Sequence, residues 1–237
     1  MNRHIRNTVI GSVATLALLG ATAAPALAEG AGEASGTTHR TLAEIQASAK
    51  VKTDARAASL NKAITKVTAA KSLSSDDRAA ILAILQGDLS AMATLEAKIA
   101  SDTDASVAAT DYATIFTSYR VYAVAIPQSR LTATADRLTL ATIPRLTDVH
   151  DRLAAKIAAD PSKSTPALVA DLADMSTQLS AASSGLDGVA SDSLAVTPAA
   201  YNANHDVLAT ERSAAKDGLA AVKKASSDAK TVRAALK

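Results

Sequence analysis

Cysteine and tryptophan are absent from this 237-residue chain, which holds one phenylalanine and four tyrosines. Without cysteine there is no disulfide, no thiolate metal site, no cysteine nucleophile and no lipid-modified N-terminal cysteine. Stability must come from packing. Strand-forming β-branched and aromatic residues are few outside one central stretch, whereas about a quarter of the chain is alanine, the strongest helix former. A charge of one sign is also missing. Beyond the first 28 residues, which contain Arg3 and Arg6, 23 basic residues balance 23 acidic ones, so no bulk electrostatic partner is implied.

The motifs of common chemistries are missing too. There is no HExxH, no paired Glu-x-x-His, no GxSxG, no glycine-rich phosphate loop and no nucleic-acid motif. Beyond residue 28 the histidines are His39, His150 and His205, and no two of them share a helical face at i, i+4. His205 is expected on the inner seam of the last helix, as a hydrogen-bonded core histidine. Ser-x-x-Lys occurs at Ser59, Ser213 and Ser227 without its companion motifs, as chance gives in a chain rich in serine, alanine and lysine. The reading is a non-enzymatic protein with no cofactor and no metal.

What is present begins with an export signal over 1–28. Arg3, His4 and Arg6 precede a mostly apolar run, and Ala26-Leu27-Ala28 gives a small-x-small cleavage pattern. Residues 29–40 read as a flexible leader rich in Gly, Ser and Thr. Residues 41–237 read as one helical-bundle domain, with no transmembrane segment after signal cleavage.

Along that domain apolar residues recur at helical spacing. The first helix is expected from 40 or 41 to about 73, and a second begins at the Ser74-Ser75-Asp76-Asp77 cluster. A short helix over roughly 104–118 leads into Tyr119-Arg120-Val121-Tyr122-Ala123-Val124-Ala125-Ile126, the most strand-like run in the chain. This run is expected as an extended or irregular crossing before Pro127. The third long helix should run from 127 to about 159, kinked but continuous at Pro144, because its apolar register survives the proline. Thr165-Pro166 and Thr197-Pro198 are one device used twice, a threonine cap with proline at the first helical position. A heptad seam follows each, from Leu168 to Val189 and from Tyr201 to Leu236. The fold class is therefore all-α, an elongated bundle of four to five long antiparallel helices with coiled-coil-like packing.

Charge is uneven along the chain. Residues 41–73 hold six basic and two acidic residues, 74–210 nine and sixteen, and 211–237 seven and three. One reading is that basic terminal helices pack beside acidic central ones. The other is a basic face, comprising Lys216, Lys223, Lys224 and Lys230, for an anionic cell-wall polymer or lipid head groups. The central stretch offers a second place. Tyr119, Arg120, Tyr122, Gln128 and Arg130 read either as a binding patch or as an aromatic core plug with snorkelling arginines. Asp136 and Arg137, adjacent to the Ala135/Leu138 face, suggest an ion pair that docks their helix.

Tyr119-Arg120-Val121-Tyr122, Pro127-Gln128-x-Arg130-Leu131 and Ala135-Asp136-Arg137-Leu138, with the signal and the proline-capped last helix, resemble secreted alanine-rich helical proteins of high-GC Gram-positive bacteria. The resemblance implies export and a helical shape. It carries no activity and no residue role. The expectation is a secreted binding or structural protein of the cell envelope, whose partner is an anionic wall polymer or an envelope protein and not nucleic acid. The alternative is an extracellular carrier of an apolar or amphipathic ligand, which requires a cavity near 119–131. Wall binding requires the basic first and last helices to form one exposed face.

Overall fold

A computed structural model describes residues 40–237. The export signal, nearly all of the leader and His39 lie outside them. The described residues are helical almost throughout, with no strand among them. Five helices are long: α1 (Leu42–Ala69), α2 (Ser75–Ser101), α5 (Ile143–Ala159), α6 (Pro166–Gly185) and α9 (Ala209–Ala235). Shorter ones are α3 (Ala105–Thr117), α4 (Ile126–Asp136), α7 (Val189–Ala195) and α8 (Pro198–Ala203). This is an all-α helical bundle.

Caps fix the helix starts. Thr41 and Glu44 form a reciprocal capping box at α1, with the Thr41 amide donating to Glu44 Oε2 at 2.8 Å. Ser74 caps α2 and Asp104 caps α3. Both Thr-Pro pairs act as read, Thr165 accepting from the Leu168 amide at 3.3 Å and Thr197 from the Ala200 amide at 3.1 Å. α1 ends at Ala69, four residues before the expected end. There the Arg78 guanidinium of α2 donates to the carbonyls of Val67 at 2.6 Å and Thr68 at 3.0 Å, covering acceptors the helix end leaves open.

The two internal prolines share one solution. Ile126-Pro127 and Ile143-Pro144 each follow a π-helical turn, Val121–Ala125 and Arg137–Thr142. The isoleucine amide in each case reaches back five residues, to the carbonyls of Val121 and Leu138. A proline ring clashes with the carbonyl four residues earlier and lacks a donor. Widening the preceding turn accommodates both defects without ending the helix. The run from Val121 to Ala159 is therefore helical without interruption, as expected at Pro144. The expected extended crossing shrinks to 118–120, and the strand-like residues 121–125 are helical instead. Val121, Val124 and Ala125 are buried there, so packing overrides their strand preference.

The apolar residues form two clusters. The first joins α1, α2 and α3 through Leu60, Ile81, Leu85, Met92, Ile99 and Ile115. The second joins α5, α6 and α9 through Leu153, Leu172, Met175, Leu179, Val222 and Val232. α4 connects them, with Ile126 in the first cluster and Ala135 in the second. α7 lies along α4 with Leu194 toward the first and Val189 in the second. Within the pairs the helices are antiparallel. Gln46 Nε2 donates to the carbonyls of Ile99, Ala100 and Asp102, while Val67 meets Arg78. Lys224 meets Asp174, and Gly218 faces Leu186.

The last helix departs from expectation. A turn at 204–208 separates α8 from α9, where the Asn204 side chain accepts from the Asp206 amide at 3.0 Å. The seam restarts at the fully buried Leu208 and continues through Ala215, Val222 and Ala229. His205 is consequently exposed, not on the inner seam. Asp136 also differs. It accepts from the Ser74 amide at 2.7 Å, tying α4 to the α1–α2 turn instead of pairing with Arg137. Burial and the adjacent Asp77 carboxylate push its proton affinity up, partly offset by that amide.

Beyond the signal, no stretch is expected from the sequence to be long and apolar enough to cross a bilayer, and in that respect α2 differs. By length and composition it is apolar enough to cross a membrane, the one such helix among the described residues. Its composition is the reason, alanine with leucine and isoleucine on both sides of the seam. In this fold its seam residues Ile81, Leu85, Met92, Leu95 and Ile99 pack into the first cluster.

Candidate functional site

All five aromatic rings of the chain collect around the α3–α4 break and α8. Along the α1–α3 contact, two arginines and three rings form a continuous row. Arg40 lies 5.1 Å from the Tyr112 ring, Tyr112 meets Phe116 edge-on at 5.3 Å, and Arg56 lies between Phe116 at 4.7 Å and Tyr122 at 5.0 Å. The Tyr122 hydroxyl donates to the Ala55 carbonyl at 3.1 Å and lies 3.2 Å from Ser59 Oγ. A buried guanidinium between two ring faces is held by quadrupole attraction as well as by its hydrogen bonds. Arg56 is 3 % exposed.

A second group sits at the break itself. Arg120 is the only non-glycine described residue with positive φ, at 48°. Its Nε donates to Asn202 Oδ1 at 2.6 Å, and its guanidinium lies 5.2 Å from the Tyr201 ring. Asn202 Nδ2 donates in turn to the Thr117 carbonyl at 2.8 Å, at the last residue of α3. His205 stacks on Tyr201 at 4.8 Å. One asparagine on α8 thus caps α3 and holds the strained residue that follows it.

The proposed patch is therefore divided. Tyr119, Arg120 and Tyr122 stay together at the break, where Tyr122 is exposed and Tyr119 packs half-buried on the first cluster. Gln128 does not join them. It is 2 % exposed on the core side of α4, and its Oε1 meets no donor among the described residues. Arg130, two residues on and hence on the opposite side of the helix, is exposed. Asn202, Tyr201 and Arg56 are the partners that sequence reasoning missed. Asn202, Asn204 and Asp206 within five residues were a turn signal that marks this place.

The basic residues of α9 also separate. Lys224 forms an ion pair with Asp174 of α6 and lies 3.5 Å from Asp228, so it belongs to the α6 contact. Lys216, Lys223 and Lys230 recur every seven residues, at about 10.5 Å intervals on one side of the helix, and Arg212 extends the row by one turn. All four are exposed, and none forms an ion pair with a described residue. The acids of α9 lie elsewhere. Asp217 lies about 100° around the helix from Lys216, Asp228 lies about 160° from Lys230 with Lys224 on the same side, and Glu211 is half-buried. The outer row is acid-free.

α1 adds nothing to that row. It belongs to the first cluster and α9 to the second, and the two do not pack as neighbours. The shared face of both helices that wall binding was expected to require is not formed, so an anionic partner has to be met by α9 alone. Several α1 charges are used internally, with Lys50 on Asp54 at 3.1 Å and Glu96 at 3.0 Å, and Arg56 beneath the rings. Two surface depressions lie between α1 and α2, around Met92 and Glu96, and between α6 and α9, around Gly185 and Gly218. Neither contains a residue from 119–131, where a carrier was expected to open its cavity. Among the described residues no three His, Asp or Glu side chains converge as a metal site. Asp88 of α2 is pushed up to about 6 by burial. No protein-family model matches the chain, and neither a curated protein nor a solved structure matches it.

Proposed function

We propose that this chain is exported and acts by binding, not catalysis, at the cell envelope, with the outer side of α9 as the surface that meets an anionic envelope component. The observation that carries the reading is the acid-free row of Arg212, Lys216, Lys223 and Lys230. Lys50, Lys98 and Lys224 each pair with an acid, Lys98 on Asp111 at 2.7 Å, whereas Lys52, Lys62 and Lys66 of α1 are exposed without an ion pair to a described residue, on a helix of the other cluster. Four exposed cations in line on a chain of balanced charge are a local field, not a property of net charge. Exposed charges separated by more than about 8 Å are screened at physiological salt, so attraction to this row must weaken as salt rises.

The test is sedimentation of the purified protein with isolated bacterial cell walls across a salt series. The expected result is association at low salt that is released at high salt. Absence from the wall pellet at every salt concentration would refute the proposal, and salt-insensitive association would reassign it to another surface.

A further inference from the structure

We infer that the occupant of the α9 row is an extended linear polyanion lying along the helix axis, not a compact anion or a membrane surface. This rests on the proposed anion-binding role of α9 and adds the shape of the ligand. Arg212 to Lys230 spans eighteen residues, about 27 Å of helix. The intervals are about 6, 10.5 and 10.5 Å, so an anion of phosphate size can be reached by two of the cations at most. Among soluble anions, one as long as the row is needed to engage all four at once.

The ground beside the row fits a single strand. Between the cations and the Asp217–Asp228 side the helix presents Ala209, Ser213, Ala220, Ser227 and Ala234, all exposed and small. A polymer can therefore lie close to the helix backbone, with cationic side chains along one edge. A membrane is a poorer match. A helix that binds a bilayer surface inserts its apolar face, and that face of α9 (Val222, Ala225, Ala229 and Val232) is already buried in the second cluster. Leu219, at 38 % exposure, is the one large apolar side chain α9 leaves outside.

The experiment measures binding of the purified protein to inorganic polyphosphate of graded length and to phosphatidylglycerol vesicles, each over a salt series. For flexible single-chain polyanions the slope of log affinity against log salt is about −0.7 per phosphate contact, so four contacts give about −3. We expect that slope with chains longer than the row and a slope near −1, with at least tenfold weaker binding, for tripolyphosphate. The combined variant Lys216→Gln, Lys223→Gln, Lys230→Gln should reduce the long-chain slope to about −1. Lys224→Gln, with the same loss of charge per site, should leave the slope unchanged. Affinity per phosphate that is independent of length, binding to vesicles but to no polyphosphate, or no binding to any of these anions would each overturn the inference. Wall association that persists beside length-independent anion binding removes this inference alone, whereas loss of wall association removes the function it rests on.

Discussion

Replacing Asn202 with alanine probes how the α3–α4 break is held. Asn202 makes two hydrogen bonds there, to the Thr117 carbonyl and from Arg120 Nε. A neutral hydrogen bond contributes about 1 kcal/mol and one to a charged group about 1.5–3 kcal/mol. Asn202 is exposed, so water replaces part of both, and a net loss of about 1.5 kcal/mol is the working value. For a domain of this size that lowers Tm by about 3–6 °C. Arg120 supplies the second leg of a double-mutant cycle. Its left-handed backbone costs roughly 1–2 kcal/mol, which Arg120→Gly relieves while losing the Asn202 bond and the Tyr201 contact. Arg120→Gly alone should therefore be close to neutral, and in the Asn202→Ala background it should stabilise by about 1 kcal/mol. Urea denaturation of the four proteins gives the coupling energy, expected at about 1 kcal/mol. An Asn202→Ala midpoint indistinguishable from that of the parent, with additive double-mutant energies, would refute the latch.

Two glycine substitutions should move in opposite directions in the same assay. A Cβ on Gly87 of α2 meets nothing within 4 Å, so Gly87→Ala should stabilise by about 1 kcal/mol through helix propensity. A Cβ on Gly218 would lie 3.0 Å from Leu186, which is 2 % exposed, so Gly218→Ala should destabilise by about 1 kcal/mol despite the same gain in propensity. Asp88 predicts a pH dependence. Its folded-state proton affinity is above the unfolded value, so the folded chain holds more protons between about pH 4 and 6 and this residue's contribution to stability falls as pH rises through that window. Allowing for its partial exposure, the penalty above pH 6 is about 1–2 kcal/mol. Asp88→Asn should recover it at pH 7 and above, with no gain near pH 4, in thermal melts across that range.

Local chemistry made much of the fold legible. Thr41, Ser74, Asp104, Thr165 and Thr197 are helix caps as their side chains dictate, and the register through Pro144 correctly implied one continuous helix. The π turns before Pro127 and Pro144 were not legible, although the second leaves a mark: the buried positions step five residues from Leu138 to Ile143, where the expected register ran through Thr142. His205 was misplaced for a related reason. The seven-residue arithmetic from Tyr201 to Leu208 ran through the Asn204 turn, where the chain is not helical. The patch and the basic face were each partly wrong by helix geometry alone. Gln128 and Arg130 are two residues apart, as are opposite sides of a helix, and Lys223 and Lys224 are separated by about 100°. The meeting of Arg120 with Asn202, 82 positions away, depends on how α8 docks, which no local pattern encodes.

The central claim is that the α9 row, and not basic charge in general, is the surface that meets the envelope. The direct measurement compares the fraction of protein pelleted with isolated cell walls at low salt for the parent chain, Lys224→Gln, and the combined Lys216→Gln, Lys223→Gln, Lys230→Gln variant. The account predicts that Lys224→Gln pellets like the parent and that the combined variant stays in the supernatant. A combined variant that pellets as fully as the parent would contradict it.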